Sequence, residues 1–270
     1  MRSIVGHKQL SNATKRTRFC YLCNEPLDGR PSNRDHIPPS CIFHISHRSD
    51  PLILRTHVCC NSGESDNDQR IGEMLSPLSG RSLDPRRAIV RFHRLPTSDA
   101  SDVVLGISGV PLHNIVRRWV RGFHAALYGR FLPVDAPFNV CMPFPHTLDF
   151  NRFNPEPISP LHSRIAQCIA SVRATGKIDR LVANGGKTVY ECLWMTEPHQ
   201  PAKCIFALRI YDWERLASTS FESRGCVGGY LDAEGVPEGG TVHEVVNIPN
   251  GVFHELDPYH GPDGSGRLAQ

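Results

Sequence analysis

The sequence predicts an α+β protein in which a small, metal-stapled module precedes a larger region of helices and antiparallel strands. Half of the ten cysteines lie between Cys20 and Cys60, in a segment with many turn residues. Farther along, apolar residues recur at helical spacing over 112–129 and 160–175, and runs of β-branched residues follow after residue 180. Since 270 residues exceed the roughly 100–200 of one ordinary domain, we expect one large domain or two smaller ones.

Composition and charge indicate a globular protein with a basic N-terminal end. Hydrophobic residues make up 40% of the chain and charged residues 21%, which suits a protein that buries a real core. Residues 1–60 contain nine Lys or Arg and four Asp or Glu, so nine minus four leaves an excess of five positive charges. This basic end favours a nucleic-acid partner, with a solvated tail as the alternative. Farther along, Arg117, Arg118 and Arg121 are predicted to form a surface that adds phosphate contacts.

The cellular compartment of the protein is predicted from two features that its sequence does not show, a secretory signal and a membrane-spanning segment. The first residues carry charge but no apolar segment of the kind that forms a secretory signal. No stretch approaches the roughly 20 apolar residues that cross a bilayer. We therefore expect a reducing, cytoplasmic setting without a membrane, where clustered cysteines more often bind metal than form disulfides.

Local patterns divide the chain into four predicted regions. Residues 1–18 lack a sustained period and are predicted as a flexible basic arm, and residues 19–80 form the cysteine-rich module with one short helix. Residues 81–156 combine a linker rich in Pro and Gly with the first long helix. Residues 157–270 are predicted as a C-terminal α+β region whose antiparallel strands include a hairpin at the Asn-Gly-Gly turn of residues 184–186.

Two pairs of metal-binding residues frame the module. Cys20 and Cys23 have the two-residue gap of a zinc knuckle, and His57 and Cys60 repeat that gap after 33 intervening residues. A closed tetrahedral site takes four such ligands, so the sequence predicts one structural zinc ion on these residues. Cys59 is an alternative ligand if the second turn is shifted. A module of roughly 60 residues with few large apolar side chains lacks the core to fold alone, which favours metal over free thiols.

Two further motifs lie between and after these pairs. The segment 33–39 reads Asn-Arg-Asp-His-Ile-Pro-Pro, and Asn61 follows the second pair directly. In order, spacing and residue type, residues 19–80 resemble the HNH endonuclease family, whose zinc-bearing members carry CxxC, then Asp-His-x-x-Pro, then CxxC-Asn leading into a helix. The resemblance implies a ββα-metal fold with Asp35 and His36 on a hairpin, and double-stranded DNA as the substrate.

The residues of these motifs suit phosphodiester hydrolysis, which needs a deprotonated water and a cation beside the phosphate. His36 is the predicted general base, because a pKa near 6.5 leaves imidazole largely neutral at physiological pH. Asp35 and Asn61 offer hard oxygen ligands for a catalytic Mg²⁺ or Mn²⁺ ion. Because adjacent strand residues face opposite sides, we expect Asp35 and His36 where the strand bends or ends.

One feature of the family pattern is missing. The middle asparagine that orients the catalytic histidine in many members would fall near Leu52, and Asp50 is the closest polar residue. A backbone carbonyl could orient His36 instead. An alternative function is therefore a zinc-dependent module that binds nucleic acid or serves assembly without catalysis, with the function carried by the C-terminal half. The oligomeric state is open, and a homodimer is one option.

Overall fold

The structure is a computed structural model that describes residues 1–80, 88–95, 104–141, 160–197, 199–211 and 225–243. Helices and strands are mixed along the chain, so the fold is α+β, as the sequence predicts. In chain order the elements are β1 (Ser3–Val5), α1 (His7–Arg16), β2 (Ser32–His36), β3 (Ile53–His57), α2 (Val58–Ser62), α3 (Ser65–Met74), α4 (Ser76–Ser79), β4 (Arg91–Leu95), β5 (Val104–Ser108), α5 (Leu112–Tyr128), β6 (Phe138–Cys141), α6 (Pro160–Ala174), β7 (Asp179–Ala183), β8 (Thr188–Met195), β9 (Ala202–Ile210) and β10 (Cys226–Asp232). Within these ranges, no helix is both long enough and apolar enough to cross a membrane.

The largest element is a six-stranded mixed sheet with the strand order β1-β7-β8-β9-β10-β6. Strand β1 runs parallel to β7, and the other neighbouring strands are antiparallel. The predicted hairpin is confirmed, because β7 and β8 pair around the turn at residues 184–186. Two separate two-stranded sheets are formed by β2 with β3 and by β4 with β5.

The two faces of the sheet bury different groups of side chains. On β8, Tyr190 and Trp194 belong to the large core that includes α5, whereas Leu193 belongs to a second core with Ile169 and other residues of α6. This division follows from the alternation of side chains along an extended strand. The sheet therefore lies between α5 on one face and α6 on the other.

Helix α5 is buried on every side. One side contacts the sheet, where the ring of Phe123 stacks on Tyr190 with ring centroids 4.9 Å apart. The other side contacts the N-terminal module, where Gly122 meets Ile37. The helix ends at Gly129, whose φ of 68° is the left-handed conformation that the sequence predicts for a glycine stop.

The prediction of a flexible arm at residues 1–18 is wrong. This segment contains β1 and α1, and Ile4, Leu10 and Ala13 are buried in the large core. Helix α1 could not be predicted from the spacing of apolar residues, because it is short and only two of its ten residues are buried. The predicted strand at 241–248 lies mostly outside the described residues, and within them Val242 forms a bridge to Trp194.

The predicted basic surface on α5 is also wrong, because its three arginines are buried. Arg117, Arg118 and Arg121 are each 4–5% exposed. Arg121 donates hydrogen bonds to the carbonyls of Leu132 and Leu22, each at 3.0 Å. Buried guanidinium groups are tolerated when acceptors of this kind satisfy their N–H groups.

Candidate metal cluster and oxygen cluster

A strand–strand–helix unit positions the predicted site residues. Strands β2 and β3 pair antiparallel, from Ser32 opposite His57 to His36 opposite Ile53. Helix α2 begins at the residue that follows β3, so the end of the strand and the first helical turn lie side by side. This arrangement brings Asn61, on α2, next to the hairpin.

Four metal-binding side chains meet at one end of this unit. The ligand atoms of Cys20, Cys23, His57 and Cys60 all lie within 4.8 Å of one another, and the Cys23 Sγ is 3.3 Å from the His57 Nδ1. Two ligands of a tetrahedral zinc ion are separated by roughly 3.8 Å when the Zn–S distance is about 2.3 Å. Cys59 is exposed and does not belong to this set, so the alternative ligand is excluded. We call these four residues the cysteine–histidine cluster.

The surroundings of this cluster favour metal binding. The His57 Nε2 lies 3.0 Å from the Pro26 carbonyl and donates to it, which leaves Nδ1 free to face the sulfur atoms. The carbonyl of Cys20 accepts hydrogen bonds from the amides of Cys23 and Asn24, which closes the turn around the first ligand pair. Three thiols and one imidazole are the ligand types of a closed zinc site. The cluster could therefore hold a metal ion such as zinc.

The side-chain oxygens of the predicted catalytic ligands Asp35 and Asn61 come together at one point. That point is occupied by the guanidinium of Arg118. The Nη2 of Arg118 lies 3.0 Å from each carboxylate oxygen of Asp35 and 3.3 Å from the Oδ1 of Asn61. The side chains of Arg118 and Asp35 are only 6% and 3% exposed. A charged nitrogen on α5 thus stands where the oxygens of the hairpin and of α2 meet.

Further groups complete the shell around this guanidinium. The Nη1 of Arg118 donates to the Asp68 Oδ1 at 2.6 Å and lies 3.7 Å from the Glu64 carboxylate. The Nε of Arg118 donates to the Tyr21 hydroxyl at 3.3 Å, and that hydroxyl donates to the Asp35 Oδ2 at 2.6 Å. We call Asp35, Asn61, Asp68 and Glu64 the oxygen cluster. Its three carboxylates exceed the single charge of Arg118.

The amide of Asn61 is held in one orientation by Asn33 on β2. The Nδ2 of Asn61 donates to the Asn33 Oδ1 at 3.2 Å, and the Thr56 hydroxyl donates to the same oxygen at 3.1 Å. With its nitrogen engaged there, Asn61 directs its own Oδ1 toward Arg118 and Asp35. Asn33 therefore positions the amide oxygen of the cluster.

Burial and mutual charge shift the pKa values of these groups. Burial raises the pKa of Asp68 to about 6, with Arg118 opposing the rise and Asp35 and Glu64 adding to it. Burial also raises the pKa of Tyr21 well above its ordinary value, so the phenol keeps its proton. Burial acts to lower the pKa of Arg118, but Tyr21, Asp35 and Asp68 together raise it above its ordinary value. Arg118 is therefore a permanent cation.

The predicted base, His36, is the last residue of β2 and directly follows Asp35. Asp35 is buried while Arg34 is exposed and His36 half-buried, as alternation along β2 requires. Burial lowers the pKa of His36, Arg34 and Arg48 lower it further, and Asp35 partly opposes them. The imidazole is therefore neutral at physiological pH.

Leu52, at the position of the missing middle asparagine, and Asp50, the closest polar residue, make other contacts. Leu52 is fully buried, and its carbonyl accepts a hydrogen bond from the amide of Ile37 at 3.0 Å. The carboxylate of Asp50 lies 3.8 Å from the His7 Nδ1, and its backbone carbonyl accepts from the amide of Asn184. Leu52 therefore extends the pairing at the end of the hairpin, whereas Asp50 contacts α1 and the turn at residues 184–186.

The oxygen cluster does not fit a divalent ion while Arg118 remains in place. Carboxylate and amide oxygens are suitable ligands for Mg²⁺ or Mn²⁺, but the point at which those of Asp35 and Asn61 converge is filled by Nη2. A second cation there would also be repelled by the guanidinium. The predicted ligands are therefore brought together, and the predicted ion is excluded from this arrangement.

Four residues of the site were not assigned to it from the sequence, namely Tyr21, Asn33, Glu64 and Arg118. Arg118 carried no local signal, because charged residues on a helix with apolar residues at every fourth position ordinarily lie on its exposed face. For its partner Asp68 the sequence leaves two interpretations open, a residue near the catalytic metal or an acid in the first turn of a helix, and the structure brings it into the cluster. Tyr21 carried no signal, since a residue between two zinc-knuckle cysteines ordinarily has no further role.

Comparisons of the chain with models of protein families, with curated proteins and with solved structures find no match. Its function is therefore inferred from the residues and the geometry described above.

Proposed function

We propose that this chain is an HNH-type endonuclease that hydrolyses DNA phosphodiester bonds, with His36 as the general base. The observation that carries the proposal is the convergence of Asp35 and Asn61 within a strand–strand–helix unit that also carries the cysteine–histidine cluster. A module that only binds nucleic acid has no need for these two residues to meet. His36 follows Asp35 at the end of β2 and is half-buried, so its imidazole remains open to water beside the proposed metal ligands.

The surroundings of His36 support its role as a base. A neutral imidazole can accept a proton from water at physiological pH, and the lowered pKa of His36 keeps it in that form. Arg34, Arg48 and Arg55 are exposed, and Arg34 lies opposite Arg55 in the hairpin. These cations are suited to contact the phosphates of a DNA backbone.

The two metals of the proposal have different roles. Zinc on the cysteine–histidine cluster would be structural, because four protein ligands leave no open position for water or substrate. The proposed ligands of a catalytic Mg²⁺ or Mn²⁺ are Asp35 and Asn61. The catalytic ion would bind Asp35 and Asn61 in a state of the protein in which the Arg118 side chain no longer contacts the oxygens of these two residues.

A second candidate function is favoured by Arg118 itself. An arginine that fills the oxygen cluster would make the unit a zinc-dependent DNA-binding or assembly module without catalysis. The guanidinium would then serve only to fasten α5 to the hairpin. This candidate keeps the basic face around Arg34 and Arg55 as the contact with nucleic acid.

A plasmid-nicking assay distinguishes the two candidates. Wild type, His36→Ala and His7→Ala would be compared with Mg²⁺, with Mn²⁺ and with a chelator. Loss of a general base typically lowers the rate about 10²–10⁴-fold, so His36→Ala should lose cleavage while its zinc content and thermal stability stay unchanged. His7 is a matched control, because its side chain is 84% exposed and lies on α1.

Three outcomes of the plasmid-nicking assay distinguish the two candidate functions. Products with 5′-phosphate and 3′-hydroxyl ends, made by wild type and His7→Ala only, support the nuclease. Cleavage that survives His36→Ala in pure protein refutes His36 as the base. Wild type that binds DNA but does not cleave it with either ion favours the second candidate.

A further inference from the structure

The oxygen cluster requires a positive charge at its centre. Asp35 is almost fully buried, and Asp68 and Glu64 are 23% and 30% exposed. Carboxylates this close repel one another, and a buried one without a partner is strongly destabilising. In the described arrangement the required charge comes from Arg118.

Arg118 meets this requirement with all three of its nitrogens. Nη2 contacts Asp35 and Asn61, Nη1 contacts Asp68, and Nε contacts the Tyr21 hydroxyl. All three nitrogens of the guanidinium are therefore hydrogen-bonded inside the protein. Its contacts use the oxygens that a divalent ion would take.

These observations lead to one inference, which rests on the proposed function. We infer that Arg118 and a divalent cation are alternative occupants of one site formed by Asp35, Asn61 and Asp68, and that Arg118 keeps the resting protein closed to the ion. A hard divalent ion satisfies the same carboxylates with more charge, so either occupant stabilises the cluster and both cannot be present. The site opens only when the Arg118 side chain withdraws.

The test is a Mn²⁺ titration of the purified, zinc-loaded full chain, with free Mn²⁺ followed by electron paramagnetic resonance. Arg118→Gln removes the positive charge and leaves a shorter, neutral amide. We expect it to bind one Mn²⁺ about tenfold more tightly than wild type, or better. The double variant Arg118→Gln with Asp35→Asn should lose this site, which separates it from adventitious surface binding.

Thermal unfolding gives a second readout. Because removal of Arg118 leaves Asp35 and Asp68 unbalanced, Arg118→Gln should be destabilised without metal and regain stability when Mn²⁺ is added. Wild type should show little change with Mn²⁺. Arg118→Lys is the milder variant, since a single ammonium group cannot reach all the oxygens that the guanidinium bridges. It should bind Mn²⁺ more tightly than wild type.

Each result decides the inference. Folded Arg118→Gln or Arg118→Lys that binds Mn²⁺ no more tightly than wild type overturns it. Variants that fold only with Mn²⁺ support it, and variants that stay unfolded with Mn²⁺ overturn it, because the ion then cannot replace the guanidinium. None of these readouts depends on cleavage, so a failure of the nuclease proposal, seen as no cleavage by wild type or by folded Arg118→Gln, is distinguishable from a failure of this one.

Discussion

Asp35 and His36 are neighbours in the chain, yet their side chains lie in opposite surroundings. The carboxylate of Asp35 is buried against Arg118, whereas the imidazole of His36 is half-buried and has the exposed Arg34 and Arg48 in its surroundings. Strand β2 ends at His36, and both residues still pair with β3. The alternation of side chains along an extended strand therefore gives these two adjacent residues different surroundings. Asp35 is a buried carboxylate that binds a cation, and His36 is a half-buried imidazole.

His124, on α5, should make the protein sensitive to acid. Its ring is fully buried, with Nδ1 3.1 Å from the Tyr230 hydroxyl, and burial together with Arg130 lowers its pKa to about 3. An unfolded chain protonates the same ring near pH 6.5, so the folded state binds fewer protons between these values. Stability is full above pH 6.5 and is lost as the pH falls toward 3.

The size of this effect can be measured by urea unfolding at pH 7 and pH 5. The ring should contribute a loss of about 2 kcal/mol between the two values in wild type. His124→Gln cannot be protonated and should lack that part of the loss, although it is less stable at both values. An equal loss in the two proteins would show that His124 is protonated in the folded state.

Helix α5 shows which information is local in the sequence and which is not. Its limits follow from local signals, since Ile115, Trp119, Phe123 and Leu127 recur every fourth residue and Gly129 ends the helix. Charged residues on such a helix ordinarily mark an exposed face, and that expectation placed its arginines in solvent.

The acceptors that bury those arginines come from distant segments. Arg118 reaches Asp35 across 83 positions, and Arg121 reaches the Leu22 carbonyl across 99. Strands β1 and β6 could not be predicted from local sequence either. They are short, and they form by pairing with β7 and β10 at the two edges of the sheet. By contrast, the cysteine–histidine cluster could be predicted from the sequence, because its ligand types and spacing carry the geometry themselves.

Close contact between α5 and the hairpin should make Gly122 irreplaceable. A Cβ at this position would lie 2.4 Å from the Cδ1 of Ile37 and 3.2 Å from its Cγ2. Alanine in a helix interior normally stabilises by roughly 0.5–1 kcal/mol relative to glycine, but forced overpacking costs about 1–3 kcal/mol. Gly122→Ala should therefore destabilise the protein in urea unfolding.

A double-mutant cycle isolates this contact. Ile37→Val removes the Cδ1 atom, so Gly122→Ala should cost less in that background than in wild type. Gly63→Ala is the control, because its Cβ would meet only the Cys60 carbonyl at an ordinary 3.8 Å. A Gly122→Ala protein more stable than wild type would mean that α5 and the hairpin are not in contact as described.

At the scale of the whole molecule, one core joins the N-terminal module to the six-stranded sheet. Tyr21 and Ile37 from the module, Trp119 from α5, and Tyr190 and Phe206 from the sheet belong to the same buried cluster. The parallel pairing of β1 with β7 adds a backbone connection between residues 3–5 and residues 180–182. Residues 1–80 are thus part of a larger fold, and the metal cluster lies within it.

This continuity predicts that loss of the metal weakens the whole fold. Cys60→Ser removes one ligand of the cysteine–histidine cluster, whereas Cys59→Ser changes its exposed neighbour, so the pair is a matched test. Elemental analysis should find about one zinc per chain in wild type and Cys59→Ser and much less in Cys60→Ser. Because Trp119 and Trp194 lie in the shared core, their fluorescence should report a lower unfolding midpoint in Cys60→Ser. If Cys60→Ser loses zinc while the tryptophan transition stays at the wild-type midpoint, the module unfolds alone and the shared core contributes no cooperativity.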